Sequence, residues 1–179
     1  PLTIKHGGKW EGFLIAYAYE PQNKNSIIVL TNNSLYPPTI GEIEKSISNI
    51  IAGKEYTMPR FPIRDTIAHT IYSSGIDKAL KTYKTLKKNS YDKFFFDIHQ
   101  LNLLGYLLLW DGKKEEALQI IKLNAEEYPK HWNSYDSLGD MYRELGDISN
   151  AKKAYEKALE LNPNRAKTKN KLEKLPNLK

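Results

Sequence analysis

The chain has no cysteine. That excludes disulfide bridges and cysteine-ligated metal, but it does not fix the compartment, because a cysteine-free chain suits cytosol and periplasm alike. No apolar run approaches the roughly 20 residues that a membrane-spanning helix needs. The stretch LNLLGYLLLW at 101–110, apolar on nearly all sides, is expected instead to be a helix packed between two neighbours. Neither a G-x-x-x-x-G-K loop nor a G-x-G-x-x-G loop occurs, so no phosphate cradle is expected. His69, His99 and His131 stand at no metal-ligand spacing and are taken as surface or interhelix residues. The expectation is a chain with no metal and no cofactor. A leader of basic then apolar residues is also lacking, so no signal peptide is read at Pro1.

Positive charge, by contrast, is in excess. The net charge is +6, and residues 164–179 carry Arg165, Lys167, Lys169, Lys171, Lys174 and Lys179 against Glu173 alone. Such a tail can bind nucleic acid or an acidic surface. With no aromatic residue interleaved in it, the tail is expected to be a solvated final helix with cations near its C-terminus, and no nucleic acid is expected as a partner.

The main organising feature is an internal repeat. Trp132 to Asn164 runs Leu138, Gly139, Tyr142, Gly146, Ala151, Tyr155, Ala158, Pro163, and the stretch before it runs Leu104, Gly105, Leu108, Gly112, Ala117, Ile121, Asn124, Pro129. All eight pairs are offset by 34 residues and five are identical. Gly105 and Gly139 let the first helix of a unit approach the second closely, and Ala117 and Ala151 do the same from the other side. Gly112 and Gly146 fall where the first helix stops and a positive φ is wanted. Pro129 and Pro163 prevent continuation of the second helix. The pattern resembles the tetratricopeptide repeat, a helix–turn–helix unit of 34 residues that buries its apolar face only by stacking on copies of itself. Ile67, Ala68, Ile71, Gly75, Ala79, Leu80, Tyr83 and Leu86 form a degenerate copy, with Gly75 and Gly112 spaced 37 apart and the extra residues expected in NSYDKFF. Arg165 to Leu175 is the expected capping helix, with Leu172 and Leu175 covering the last repeat.

Residues 1–60 follow a different pattern. FLIAYAY at 13–19 and SIIVLT at 26–31 are expected to pair as an antiparallel hairpin across EPQNKN, with Leu2 to His6 as a preceding strand and Gly7, Gly8 and Gly12 as the connection. Thr39 and Glu42 form a capping box for a helix whose Ile40, Ile43, Ile47, Ile50 and Ile51 share a face, ended by Gly53. So few elements bury too little surface for a comfortable domain, and a fragment of something larger is expected. HGG at 6–8, Gly12-Phe13, the two strands and a helix ending in IIAGKEYTMP together resemble the C-terminal part of serine β-lactamase and penicillin-binding-protein-like hydrolases. The resemblance implies that His6, Gly7 and Gly8 stand on the strand edging an active site; from the residues themselves, the Lys9 N–H could donate to an oxyanion and His6 could supply a proton or a hydrogen bond to a carboxylate. It also implies a bacterial, periplasmic or secreted parent. A glycine-rich turn with an incidental histidine remains the alternative. The nucleophile that the resemblance requires, a Ser followed three residues later by a Lys, does not occur near this motif. Ser149 has a Lys in that place, Lys152, and it sits at a repeat turn where helix capping explains it; Ser90 with Lys93 has the same spacing.

The expected fold is therefore mainly α. A tetratricopeptide-like α-solenoid over 61–179, with two clear repeats, one degenerate repeat and a capping helix, follows a β-hairpin plus helix over 1–60 that is the remnant of an α+β serine-hydrolase domain. The expected function is protein interaction, or bracing of the hydrolase, by a module that is not catalytic by itself. The alternative is a part of an active acyl-transfer enzyme. Repeat arithmetic places His99, Asn102, Tyr106, Leu109 and Trp110, then Asn133, Asp136, Asp140, Arg143 and Glu144, along a concave groove for a protein or peptide. Asp136 and Asp140 would repel a carboxylate, so a clamp for an acidic C-terminal tail is discounted. Self-association through the exposed hairpin edge is a further expectation.

Overall fold

The computed structural model describes residues 2–10, 13–32 and 37–176, the side chains of 37–39 excepted. The chain divides into two compact units. One takes the residues up to Pro62 and then Asp92–Phe95, and the other takes Ile63–Tyr91 and the residues from Phe96 onward.

In the first unit β1 (Ile4–Trp10), β2 (Phe13–Glu20) and β3 (Asn25–Thr31) form an antiparallel sheet in that order, and α1 (Pro37–Ile51) packs on β2 and β3. Strand side chains alternate between faces, and the register brings Leu14 opposite Thr31 and Ala18 opposite Ile27. Leu14, Ala18 and Ile27 are buried. On the same side Lys5 Nζ donates to Glu44 Oε2 of α1 at 2.9 Å. After the helix, β4 (Phe61–Pro62) pairs in parallel with β5 (Phe94–Phe95).

Three local expectations for this unit differ from what forms. Gly7 and Gly8 do not connect strands. They lie within β1, opposite Ala16 and Ile15, and the ladder runs on to Trp10 opposite Phe13. The backbone suits this at Gly7, where an added Cβ would stand 3.4 Å from the Ile15 carbonyl oxygen, an ordinary contact on a close-packed ladder. Helix α1 begins at Pro37, so Thr39 lies within its first turn, and Glu42 accepts from the backbone N–H of Arg60 at 3.4 Å. Ile50 and Ile51 are exposed, while Glu44 and Ser46 are buried, held by Lys5 and by a 2.6 Å hydrogen bond from Ser46 Oγ to the Thr57 carbonyl. Gly12, residues 33–36 and the Thr39 side chain lie outside the described residues.

The second unit is a series of helix pairs, α2 (Ile63–Ser74) with α3 (Ile76–Asn89), α4 (Ile98–Trp110) with α5 (Lys114–Glu127), and α6 (Trp132–Glu144) with α7 (Ile148–Leu161), ended by α8 (Ala166–Glu173). It is a tetratricopeptide-like α-solenoid, and the chain as a whole is mainly α. Repeat chemistry explains the packing. A Cβ on Gly105 would lie 2.4 Å from Ile121 Cδ1, and a Cβ on Gly139 would lie 2.4 Å from Tyr155 Cε1, so the same contact is made twice, one period apart. Ala117 and Ala151 are fully buried beside these contacts. Gly112 and Gly146 take φ of 79° and 77°, the left-handed turn expected after the first helix of each pair. The degenerate pair keeps Ala79 and Tyr83 buried at the corresponding places. Its extra length does fall after α3, where residues 90–97 replace the four-residue link 128–131 of the next repeat. Tyr91 stacks on Phe96 there, and Tyr83 meets Phe96 edge-on.

Candidate protein-binding face

The residues expected to line a groove do not share one environment. On α4, His99 is exposed, Asn102 and Tyr106 are half-buried, and Trp110 is 76% exposed. On α6, Asn133 is half-buried and Arg143 is exposed, but Asp136 and Asp140 are buried. The stretch expected to be covered on all sides is thus open along one, since Leu107 and Trp110 both face solvent.

The two aspartates are enclosed because α8 closes over them. Asp136 Oδ1 accepts from Thr168 Oγ1 at 2.7 Å, and its Oδ2 accepts from Lys171 Nζ at 2.7 Å. The same ammonium donates to Asp140 Oδ2 at 2.7 Å. Tyr106, one period upstream of Asp140, donates to Oδ2 at 2.6 Å, and Tyr155 donates to Oδ1 at 2.7 Å. Four helices are joined through two carboxylates. Burial, reinforced by Asp140, pushes both phenols well above the ordinary tyrosine range, so each remains a donor. Arg143 is engaged as well, donating to Glu144 Oε1 at 2.9 Å and standing 3.9 Å from Asp140.

The partners on α8 were not apparent in the basic tail. Lys171 is partly buried between the aspartates, and Arg165 lies 3.8 Å above the Trp132 ring, while Lys167, Lys169 and Lys174 are exposed. The signal was present as spacing. Asp136 and Asp140 are four apart on one helix, and Thr168 and Lys171 are three apart on another, so each pair occupies one face. Composition alone could not tell which faces meet.

Helix ends show a similar shift of roles. The cap of α7 is Asp147, whose carboxylate accepts from the Asn150 N–H at 3.0 Å, and Ser149 is an exposed residue of the first turn. His131 caps α6, its Nδ1 accepting from the Asn133 N–H at 3.2 Å. That contact requires the neutral ring with its proton on Nε2. Burial, then the charge of His99, holds the imidazole below its usual value, in the same direction.

In the strand unit His6, Gly7, Gly8 and Lys9 are all exposed along β1. Alternation puts His6 and Gly8 on the face away from α1, and Gly7 and Lys9 on the other. The imidazole and the lysine side chain therefore diverge.

Residues 133–165 match the family model of the tetratricopeptide repeat. No curated protein matches the chain. Among solved structures it is similar to the tetratricopeptide repeat domain of Sgt2 from Aspergillus fumigatus, at 22% identity over 62% of this chain and 72% of that one, with a TM-score of 0.42. It is also similar to the first such domain of Spaghetti (RPAP3) bound to the HSP90 peptide SRMEEVD, at 20% identity over 63% and 86% of the two chains, with a TM-score of 0.44. A third is the second such domain of human RPAP3 in complex with the HSP70 peptide SGPTIEEVD, at 16% identity over 65% and 94%, with a TM-score of 0.45. The helical unit is a repeat module suited to protein interaction. Among the described residues no helix is long and apolar enough to cross a membrane.

Proposed function

We propose that the helical unit binds an extended segment of a partner protein across its first helices, with His99, Asn102, Tyr106 and Trp110 of α4 and Asn133 and Arg143 of α6 in contact. The observation that carries this reading is Trp110, a large aromatic left three-quarters in solvent on an otherwise closely packed array. Tryptophan is the side chain most often found to dominate binding when it enters a pocket. Asp136 and Asp140 act from behind the surface by fixing Tyr106 and α8. The ligand is not an acidic tail held by cations, because Lys171 is already shared by two aspartates and Arg143 by Asp140 and Glu144. A displayed library of random peptides, selected on the full chain, tests this. Recovered peptides should lack an enrichment of acidic C-termini and should lose about tenfold or more in affinity for Trp110→Ala. Peptides that bind Trp110→Ala and Arg143→Ala as tightly as the parent chain would remove the reading.

A second reading concerns the strand unit, as the C-terminal edge of a β-lactamase-like serine hydrolase that the repeats brace. What supports it is an edge strand bearing His6-Gly7-Gly8, then a hairpin, then a helix packed on the same sheet. Acyl transfer needs a nucleophile, a base and an oxyanion hole within roughly 3 Å of one carbon. With Ser149 in the first turn of α7 and Ser90, the other serine followed three residues on by a lysine, at the end of α3, neither stands on the strand that bears His6-Gly7-Gly8, and this chain alone should not be acylated. Intact-mass spectrometry after exposure to a β-lactam probe checks it, and a stoichiometric adduct lost on mutating a single serine would reverse the conclusion.

A further inference from the structure

Strand alternation leaves one face of the three-stranded sheet without a covering layer among the described residues. Away from α1 it presents Ile4, Trp10, Phe13, Ile15, Ile28 and Leu30, each between 45% and 75% exposed. Among the described residues no Asp, Glu, Lys or Arg stands on this face, since the even positions of β1 and β3 and the odd positions of β2 are otherwise His6, Gly8, Tyr17, Tyr19 and Ser26. Lys5, Lys9 and Glu20 all fall on the opposite side by the same alternation.

We propose that this face is the interface for a second copy of the chain, two sheets packing face to face with α1 outermost on each. Area supports it. The six side chains leave on the order of 700 Å² exposed, more than the roughly 300–600 Å² of the largest apolar patch on an ordinary monomer and close to the ~800 Å² per partner of a stable complex. Charge supports it too, because a two-fold pairing places a surface against its own image and the described strand residues of this one carry no carboxylate, ammonium or guanidinium group to repel itself. Shape adds a third element. Gly8, two residues from Trp10 on the same face, has nothing within 4 Å of where a Cβ would stand, which gives a gap in the side-chain layer beside a protruding indole. The contact is through side chains of the face, not through the free edge of β1, and the two modes are separable.

Sedimentation of the full chain over a hundredfold range of concentration tests the proposal, with hydroxyl-radical footprinting of Trp10 in parallel. The parent chain should show a reversible dimer in which Trp10 becomes protected as dimer forms. The variant Ile28→Lys with Leu30→Lys changes two exposed side chains and should raise the dimer dissociation constant about 100-fold with its circular dichroism unchanged. Ser26→Lys with Ile28→Thr, a milder change on the same face, keeps the test valid if the first variant loses structure, and should raise it about tenfold. A chain that stays monomeric overturns the proposal, whether Trp10 is open or is covered by some other part of the same chain. So does a dimer that survives both face variants but is lost when Gly7→Pro blocks the β1 edge.

Discussion

Leu104, Ile121 and Tyr155 of the helical unit are sealed from solvent, whereas Trp10, Ile28 and Leu30 of the strand unit, no less apolar, stand in it. In the helices the buried apolar stripes meet neighbouring helices, and the meeting within a pair recurs after 34 residues as Ile121 on Gly105 and Tyr155 on Gly139. A solenoid closes its core with nearest neighbours. A sheet has two faces, and one helix covers one of them. Stability that is local and additive therefore belongs to residues 63–176, while the strand unit depends on something laid against its second face.

The largest expected effect is obtained by separating the two. Residues 63–179 expressed alone should give a helical circular dichroism spectrum and a cooperative melt, because their contacts are sequential. A disordered product would show that the units are not energetically independent.

Within the helices, Asp140 should be the most costly single residue. Asp140→Ala strips Tyr155 of its acceptor, leaves Tyr106 only the longer 3.4 Å contact to Ser137 Oγ, and removes one of the two carboxylates on Lys171. A loss of about 3 kcal/mol is expected, since buried donors are left unpaired. Chemical denaturation measures it, and early proteolysis after α7 would show α8 released first.

The repeated glycine contact offers a finer comparison. Gly139→Ala drives a methyl group into a ring that Asp140 holds in place, and should cost about 2 kcal/mol. Gly105→Ala meets the end of an isoleucine side chain, which can turn, so its cost should be smaller. Equal costs would mean that Tyr155 is not fixed by its hydrogen bond.

Asn124 is the converse case. It is fully buried with neither amide atom partnered, at the place where the next repeat has Ala158. Asn124→Ala should raise stability by about 1 kcal/mol, through better helix propensity and the loss of an unsatisfied amide. A lower melting temperature would mean that the amide has a partner in solution.

The smallest effect is with pH. His131 is held below its ordinary value by burial and by His99, and its neutral ring caps α6. Between the folded value and about 6.5 the unfolded chain binds more proton, so stability is fully present above the unfolded value and falls as pH drops through the folded one. Melting temperatures from about pH 7.5 down to about pH 5 should fall slightly more for the parent chain than for His131→Ser, whose cap does not titrate.

The 34-residue period and the residues that define it are legible in the sequence, because each answers a local demand. Glycine takes a positive φ at 112 and 146, small residues stand where helices touch, and proline follows the second helix. The strand alternation of 13–19 and 26–31 was legible for the same reason. What the chain order could not convey was which surfaces meet over distance. Nothing near Asp136 and Asp140 announces Thr168 and Lys171, some thirty residues on, and two carboxylates that look like groove residues by repeat position became an internal joint once α8 folded over them. His6 and Lys9, three apart in sequence, fell on opposite faces because β1 extends through both glycines. Backbone conformation follows from neighbours along the chain, whereas burial and pairing follow from neighbours in space, and only the tertiary structure decides those.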